Sequence, residues 1–230
     1  LAEAKTSGAS STWVFSNHDV VRHATRYGLP VSGPADPESQ DGSAWLMSGG
    51  TEPALDHILG ERRARAVSQL MLALPGSAYL YQGEELGLHE VADIADEHRQ
   101  DPTFFRNKGV DIGRDGCRVP LPWTAEGTSF GFGSGGAHLP QPEWFGFYAV
   151  DSQEADPASS LTFYRRALEL RRQLQTGEDF EWVEEVSPEV LHFTRPNGWH
   201  CVTNFGSAPV ALPSGEVLLS SSPLEDGMLP

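Results

Sequence analysis

Asn17-His18-Asp19 sets three polar side chains in a row, directly after the strand-forming run Thr12-Trp13-Val14-Phe15. A carboxylate accepts two hydrogen bonds at once and a neutral imidazole shares a third. Asp19 and His18 together could therefore grip the vicinal hydroxyls of one sugar ring. Asp19 could equally cap a helix that begins near Val20. Two further clusters could carry chemistry. Gln82-Gly83-Glu84-Glu85 follows Ala78-Tyr79-Leu80-Tyr81, and a glutamate there could act as an acid or base. It could also cap a helix or pair with an arginine, and the structural role is the favoured one. Arg114-Asp115-Gly116-Cys117-Arg118 offers paired guanidinium groups. Such pairs bind carboxylates or phosphates, hold a hydroxyl while bonded to aspartate, or simply form a surface loop ion pair.

Other chemistries find no support. The 8 histidines show neither an HExxH pattern nor Cys/His ligand spacing, so a catalytic metal is not expected. No GxGxxG opens a helix after a strand. The glycines from Gly131 to Gly136 lie in an aromatic loop and do not read as a phosphate cradle. No cofactor is called for.

The elements that must position these groups follow from periodicity. Thr12–Phe15 reads as a short buried strand. Val20–Tyr27 could start a helix that ends at Gly28-Leu29-Pro30, and Val31–Gly50 reads as a loop. In Glu61–Leu74, apolar residues at Ala66, Val67, Leu70, Met71 and Leu74 mark a helix, which Pro75-Gly76 stops. Ala78–Tyr81 reads as the next strand. Strand, helix, strand is a βαβ unit, which implies parallel strands buried on both faces, with ligands beyond their carboxyl ends. Residues 88–160 lack periodicity but are aromatic, so we expect an ordered lid or subdomain. Leu161–Leu174 is a second helix, with Ser159 or Ser160 able to cap it. After Gly177 come short alternating runs at Phe180–Val183, Val190–Thr194, His200–Asn204 and Glu216–Ser220. A hairpin signal lies at Pro196-Asn197-Gly198, and the tail reads as a small antiparallel β-domain.

Composition agrees with a soluble globular chain: 230 residues, 39% hydrophobic and 10% aromatic. With 32 acidic against 16 basic residues the net charge is −16, which argues against nucleic acid and anionic membrane as partners. No apolar run approaches the roughly 20 residues of a membrane span. Leu1–Ser11 does not read as a signal peptide, and Cys117 and Cys201 read as free thiols of a reducing cytosol, so a cytoplasmic location is expected. The start at Leu1 and the stop at Met228-Leu229-Pro230, just after an apparent strand and loop, read as those of a fragment.

The stretches WVFSNHDVVRHATRYG, LPGSAYLYQGEELGL, VDIGRDGCRVPLPW and FYRRALELRR, in that order, resemble the C-terminal half of glycoside hydrolase family 13, in its α-glucosidase and oligo-1,6-glucosidase branch. The resemblance runs from about Thr12 to Asn204. It implies an α/β fold: residues 1–176 as the last two strands and helices of a (β/α)₈ TIM barrel, with the loop subdomain at about 88–160. Residues 177–230 would form a small antiparallel β-sandwich domain. It further implies a retaining glycosidase acting on α-linked glucose oligosaccharides. Asp19 would be the third family carboxylate, which holds the 2- and 3-hydroxyls of the glucose ring. His18 would bind a neighbouring hydroxyl, and Arg114 would contact the terminal glucose and close the pocket. Asn17, Tyr27, Arg118 and Trp123 are further candidates for the pocket lining, while Glu85 is read as structural. The nucleophile and the general acid belong to earlier barrel strands, expected in cis on a missing N-terminal half. Without them the chain is expected to be inactive alone. A family transglycosylase or a non-catalytic carbohydrate-binding homologue are the alternatives. Pro30–Glu61 is longer than expected of the family and is read as an extra lid or an oligomer contact.

Overall fold

The computed structural model describes residues 2–31, 41–184 and 187–230. Residues 32–40, inside the stretch expected as an extra lid or oligomer contact, lie outside the described residues. The chain gathers into two compact units. One holds the residues up to Val14, Arg65–Tyr79 and Phe163–Pro230, and the other Phe15–Ala64 and Leu80–Thr162.

The first unit opens with the short helix α1, Ala2–Thr6, followed by β1, Thr12–Val14. In the second unit come α2, His23–Arg26, and α3, Ser43–Met47. The long helix α4 spans His57–Ala73 and is followed by β2, Ser77–Tyr79. β1 and β2 pair in parallel with Trp13 opposite Ala78, as a βαβ unit requires. Burial on both faces, expected from sequence, is not what the structure has: Val14 is 49% and Tyr79 63% exposed. Among the described residues the sheet has two strands, so it presents unpaired edges and little cover.

The helix α7, Ser160–Leu174, begins where expected, and the amide of Thr162 donates to Ser159 Oγ at 3.2 Å. Within the first unit Tyr164 and Ser68 share a buried hydroxyl hydrogen bond of 2.6 Å, and the Arg65 guanidinium sits 4.7 Å over the Phe163 ring. Arg171 donates to the carbonyls of Leu72 and Leu74 at 2.5 and 3.0 Å, and to that of Gly76. A fixed cation thereby meets the orphan carbonyls where α4 ends, at the negative end of its dipole.

The tail forms the antiparallel sheet β3–β4–β5, from Glu181–Trp182, Val190–Thr194 and His200–Asn204. The turn at Pro196–Gly198 joins β4 to β5, with Asn197 at φ 70°, a conformation asparagine tolerates better than most residues. Phe193 is fully buried, edge-on to Phe180 and Trp182. The expected strand Glu216–Ser220 is absent. In its place Val210–Ala211 (β6) pairs with Met228–Leu229 (β7), while Val217 and Leu218 are 48% and 39% exposed. An alternating pattern makes a strand only when one face has something to cover.

The second unit shows that residues 88–160 are ordered by their own core. Leu86, Leu88, Val91, Ile94, Val119, Leu139 and Phe145 pack into one buried cluster with Leu161. Two short helices lie here, Pro102–Arg106 (α5) and Val150–Glu154 (α6), with 3₁₀ turns such as Asp115–Arg118 between them. A second cluster joins Val21, Leu29 and Ala92 to Trp45 and Leu46 of α3. This helix corrects the reading of Val31–Gly50 as loop: five residues are too few for periodicity, and burial of Trp45 and Leu46 holds them. Both cysteines are free and buried, and burial pushes both thiols up to about 12.

Candidate active site

The segment between Phe15 and α2 is tied down by buried side chains. Ser16 Oγ lies 2.7 Å from His23 Nδ1 and accepts from the His23 amide at 3.0 Å, closing the loop that carries the polar triplet. Inside it, Asn17 Oδ1 accepts the amide of Asp19 at 2.7 Å, so this side-chain oxygen shapes the turn. Arg22, not Asp19, occupies the N-cap position of α2, and no side chain caps that helix. Asp19 is therefore not the helix cap that sequence alone allowed.

The Asp19 carboxylate is 48% exposed and asymmetric in its partners. Oδ1 receives Arg114 Nη1 at 2.6 Å and Arg118 Nη2 at 3.3 Å. Oδ2 faces His18 Nε2 at 3.4 Å, and the His18 imidazole is mostly exposed. Two guanidiniums on one oxygen fix the direction of the carboxylate, and the other oxygen remains an acceptor beside an imidazole.

Arg114 owes its position to a residue that sequence reasoning missed. Asp101 has no exposed side-chain surface and accepts Arg114 Nε at 2.6 Å, Nη2 at 3.1 Å and the Arg114 amide at 2.9 Å. It also caps α5, accepting the Thr103 amide at 2.9 Å ahead of Pro102. These bonds, from Arg114 first, hold the Asp101 carboxyl well below the usual carboxylate range, against the opposing effect of burial. Asp115 in turn accepts the amides of Gln100 and Asp101 at 2.9 and 3.1 Å, so the two stretches are cross-linked. The Asp-Pro pair signals a helix start, but nothing in it foretells a grip on a side chain thirteen positions downstream.

The RDG glycine has a steric reason. A Cβ on Gly116 would stand 2.3 Å from the Val91 carbonyl oxygen and 2.5 Å from Glu90 Oε1. Beneath it Arg22 bridges three segments: Nη1 donates to Gln82 O at 2.8 Å and Nη2 to Cys117 O at 2.9 Å, while its amide donates to Glu90 Oε2 at 2.9 Å. Glu85 takes a structural place, accepting the Gly83 amide at 2.8 Å. Arg118 donates through Nε to the His18 carbonyl at 2.9 Å. Tyr27 packs its ring edge against Phe15 and His23, and Trp123 is half-exposed. The structure thus brings His18, Asp19, Arg114 and Arg118 together, and adds Asp101.

Buried titratable groups of the second unit make stability pH-dependent. Burial, helped by Arg26 and Arg22, holds His23 down to about 3, and burial with His57 does the same for His89. Burial pushes Glu90 up to about 7, against the pull of Arg22. From the ordinary histidine value of 6.5 downward, the unfolded chain binds two protons that the native state refuses, so acidification destabilises. Glu90 opposes this between 4.5 and 7, where the native state holds the extra proton. The net expectation below pH 6.5 is a loss of about 1.4 kcal/mol per pH unit, steeper once Glu90 stops compensating. Urea denaturation at pH 7, 6 and 5 measures it, and equal stabilities at all three would refute it.

The model of the alpha-amylase catalytic domain matches residues 53–178. The chain belongs to the alpha-amylase family. Among its relatives in that family, a probable alpha-glucosidase of Rhizobium meliloti (strain 1021) is 36% identical over 189 residues, 81% of this chain and 29% of the relative. An oligo-1,6-glucosidase of Parageobacillus thermoglucosidasius is 26% identical over 164 residues, again across 29% of its length. The chain thus spans under a third of these alpha-amylase family relatives. Among solved structures, an alpha-glucosyl transfer enzyme, XgtA, superposes with a TM-score of 0.66 at 34% identity, over 90% of this chain and 35% of that one. Trehalose-6-phosphate hydrolase of Bacillus licheniformis shares the fold, with a TM-score of 0.66 at 22% identity, over 96% and 40%. Among the described residues no His/Cys/Asp/Glu group is placed to hold a metal ion, and no helix is long and apolar enough to cross a membrane.

Proposed function

We propose that the chain is the C-terminal part of a retaining α-glucosidase that releases terminal glucose from maltose- or isomaltose-type oligosaccharides. The observation that carries this is the Asp19 carboxylate, fixed by Arg114 at 2.6 Å through one oxygen and open at the other. In this reading β1 and α4 are the seventh barrel strand and helix, β2 the eighth strand and α7 the last helix. Residues 1–176 are barrel, and 177–230 are the β-sandwich domain of a cytoplasmic enzyme. An N-terminal barrel half in cis supplies the nucleophile, which attacks the anomeric carbon, and the glutamic acid that protonates the leaving oxygen. Asp19 accepts from the 2- and 3-hydroxyls, and these hydrogen bonds strengthen as positive charge develops on the ring. His18 holds a neighbouring hydroxyl. Arg114, seated on Asp101, walls off the end of the pocket and favours a terminal residue, with Arg118, Asn17 and Tyr27 around it.

A transglycosylase of the same family is the second reading, favoured by the 34% identity to an alpha-glucosyl transfer enzyme. Product analysis of the full-length enzyme on maltose, isomaltose, sucrose and trehalose separates the two. Two glucose molecules per maltose or isomaltose consumed are expected. Consumption of sucrose alone, or only the leaving glucose with the other glucosyl unit found in transfer products, would replace the glucosidase reading.

A further inference from the structure

A cavity of about 650 Å³ in the second unit shares no lining residue with the Asp19–Arg114 cluster. One wall is aromatic: Trp144 and Tyr148 meet edge to face at 5.6 Å, and Phe147 beside them is 83% exposed. His89 also lines it, 2% exposed, its ring against His57 at 4.4 Å. Neither His89 Nδ1 nor Nε2 has a hydrogen-bond partner among the described residues. Buried polar atoms are nearly always paired, so an imidazole with both nitrogens unmet asks for a ligand.

The polar groups of Gln153, Ser159 and Ser160 in the lining are already committed. Gln153 Nε2 donates to the carbonyls of Leu86 and Tyr148 at 2.8 and 3.1 Å, and its Oε1 accepts the Leu161 amide at 3.0 Å. Ser159 Oγ donates to Gln153 O at 2.9 Å, and Ser160 Oγ to Glu61 Oε1 at 2.7 Å. A neutral imidazole, as burial makes His89, needs one donor and one acceptor from its ligand. An anion is repelled by the carboxylates of Glu61 and Asp156, which also line the cavity. A quaternary ammonium would suit the rings but offers the imidazole no hydrogen bond. A hydroxyl both donates and accepts, and a sugar ring presents an apolar face to an aromatic side chain.

We propose that this cavity binds a hexose unit of a neutral saccharide. The ring stacks on Trp144 and Phe147, and its hydroxyls satisfy His89 and the Glu61 carboxylate. Binding alone reads it, so it stands whether or not the catalytic reading does.

Calorimetric titration with maltose tests it in the Asp19→Asn background, whose low turnover spares the sugar, while Phe147, which lines this cavity and not the first cluster, tells the two sites apart. Binding with Kd of about 1 mM is expected. Adding Phe147→Ala, at a position too exposed to support the fold, should weaken it about fivefold or more, and His89→Phe likewise. Three results would overturn the proposal: no maltose binding to Asp19→Asn, unchanged binding after Phe147→Ala, or binding of tetramethylammonium but not maltose.

Discussion

Replacing Asp19 by Asn in the complete enzyme is expected to lower kcat/KM by roughly a hundred- to ten-thousand-fold, with little change in thermal stability. The substitution keeps shape and removes charge. A hydrogen bond made mainly in the transition state is worth about 3–5 kcal/mol to the rate, which gives that range. Stability should barely move for a separate reason. The carboxylate is half-exposed, so its pairing with Arg114 and Arg118 is a surface ion pair worth about 0–1 kcal/mol. Parallel measurements of turnover and melting temperature therefore separate a catalytic Asp19 from a structural one. Near-normal turnover would remove it from the site.

Asp101→Asn is expected to cost both activity and stability. An amide keeps an oxygen for the Thr103 amide but cannot accept from Nε and Nη2 of Arg114 together. The buried fork breaks, the α5 cap weakens, and about 2 kcal/mol of stability should go. Because Arg114 holds the Asp101 carboxyl low, the native contribution is present at neutral pH and is lost only as pH falls below the ordinary 3.8. The activity loss should match that of Arg114→Ala, and the double variant should be no worse than the poorer single one, since both changes break one unit. Additive losses would mean that Asp101 acts on something other than Arg114.

What the sequence told in advance divides by range. The helices α4 and α7 were legible because each repeats an apolar period over several turns. The β4–turn–β5 hairpin was legible because Pro196-Asn197-Gly198 is a local signal flanked by alternation. The groups held by distant partners were not. Asp101 looks like any N-cap, and Arg22 like any helix-start cation, yet the first seats Arg114 and the second ties Gln82 to Cys117. The missing strand at Glu216–Ser220 and the exposed β1–β2 pair failed for the converse reason: alternation and apolar character propose a strand, and only neighbours decide its pairing and burial. The cluster of His18, Asp19 and Arg114 was reached through the resemblance, because residue spacing alone left each motif with a plain structural alternative.

The most direct test of the central claim is a cycle on the complete enzyme: wild type and Asp19→Asn, each assayed on an α-glucoside and on its 2-deoxy counterpart. If Asp19 holds the 2-hydroxyl, removing that hydroxyl should cost the wild type a large part of its kcat/KM and the variant little more, so that the two losses are strongly non-additive. Equal losses in both enzymes would mean that Asp19 and the sugar hydroxyl never meet, and the account would be wrong.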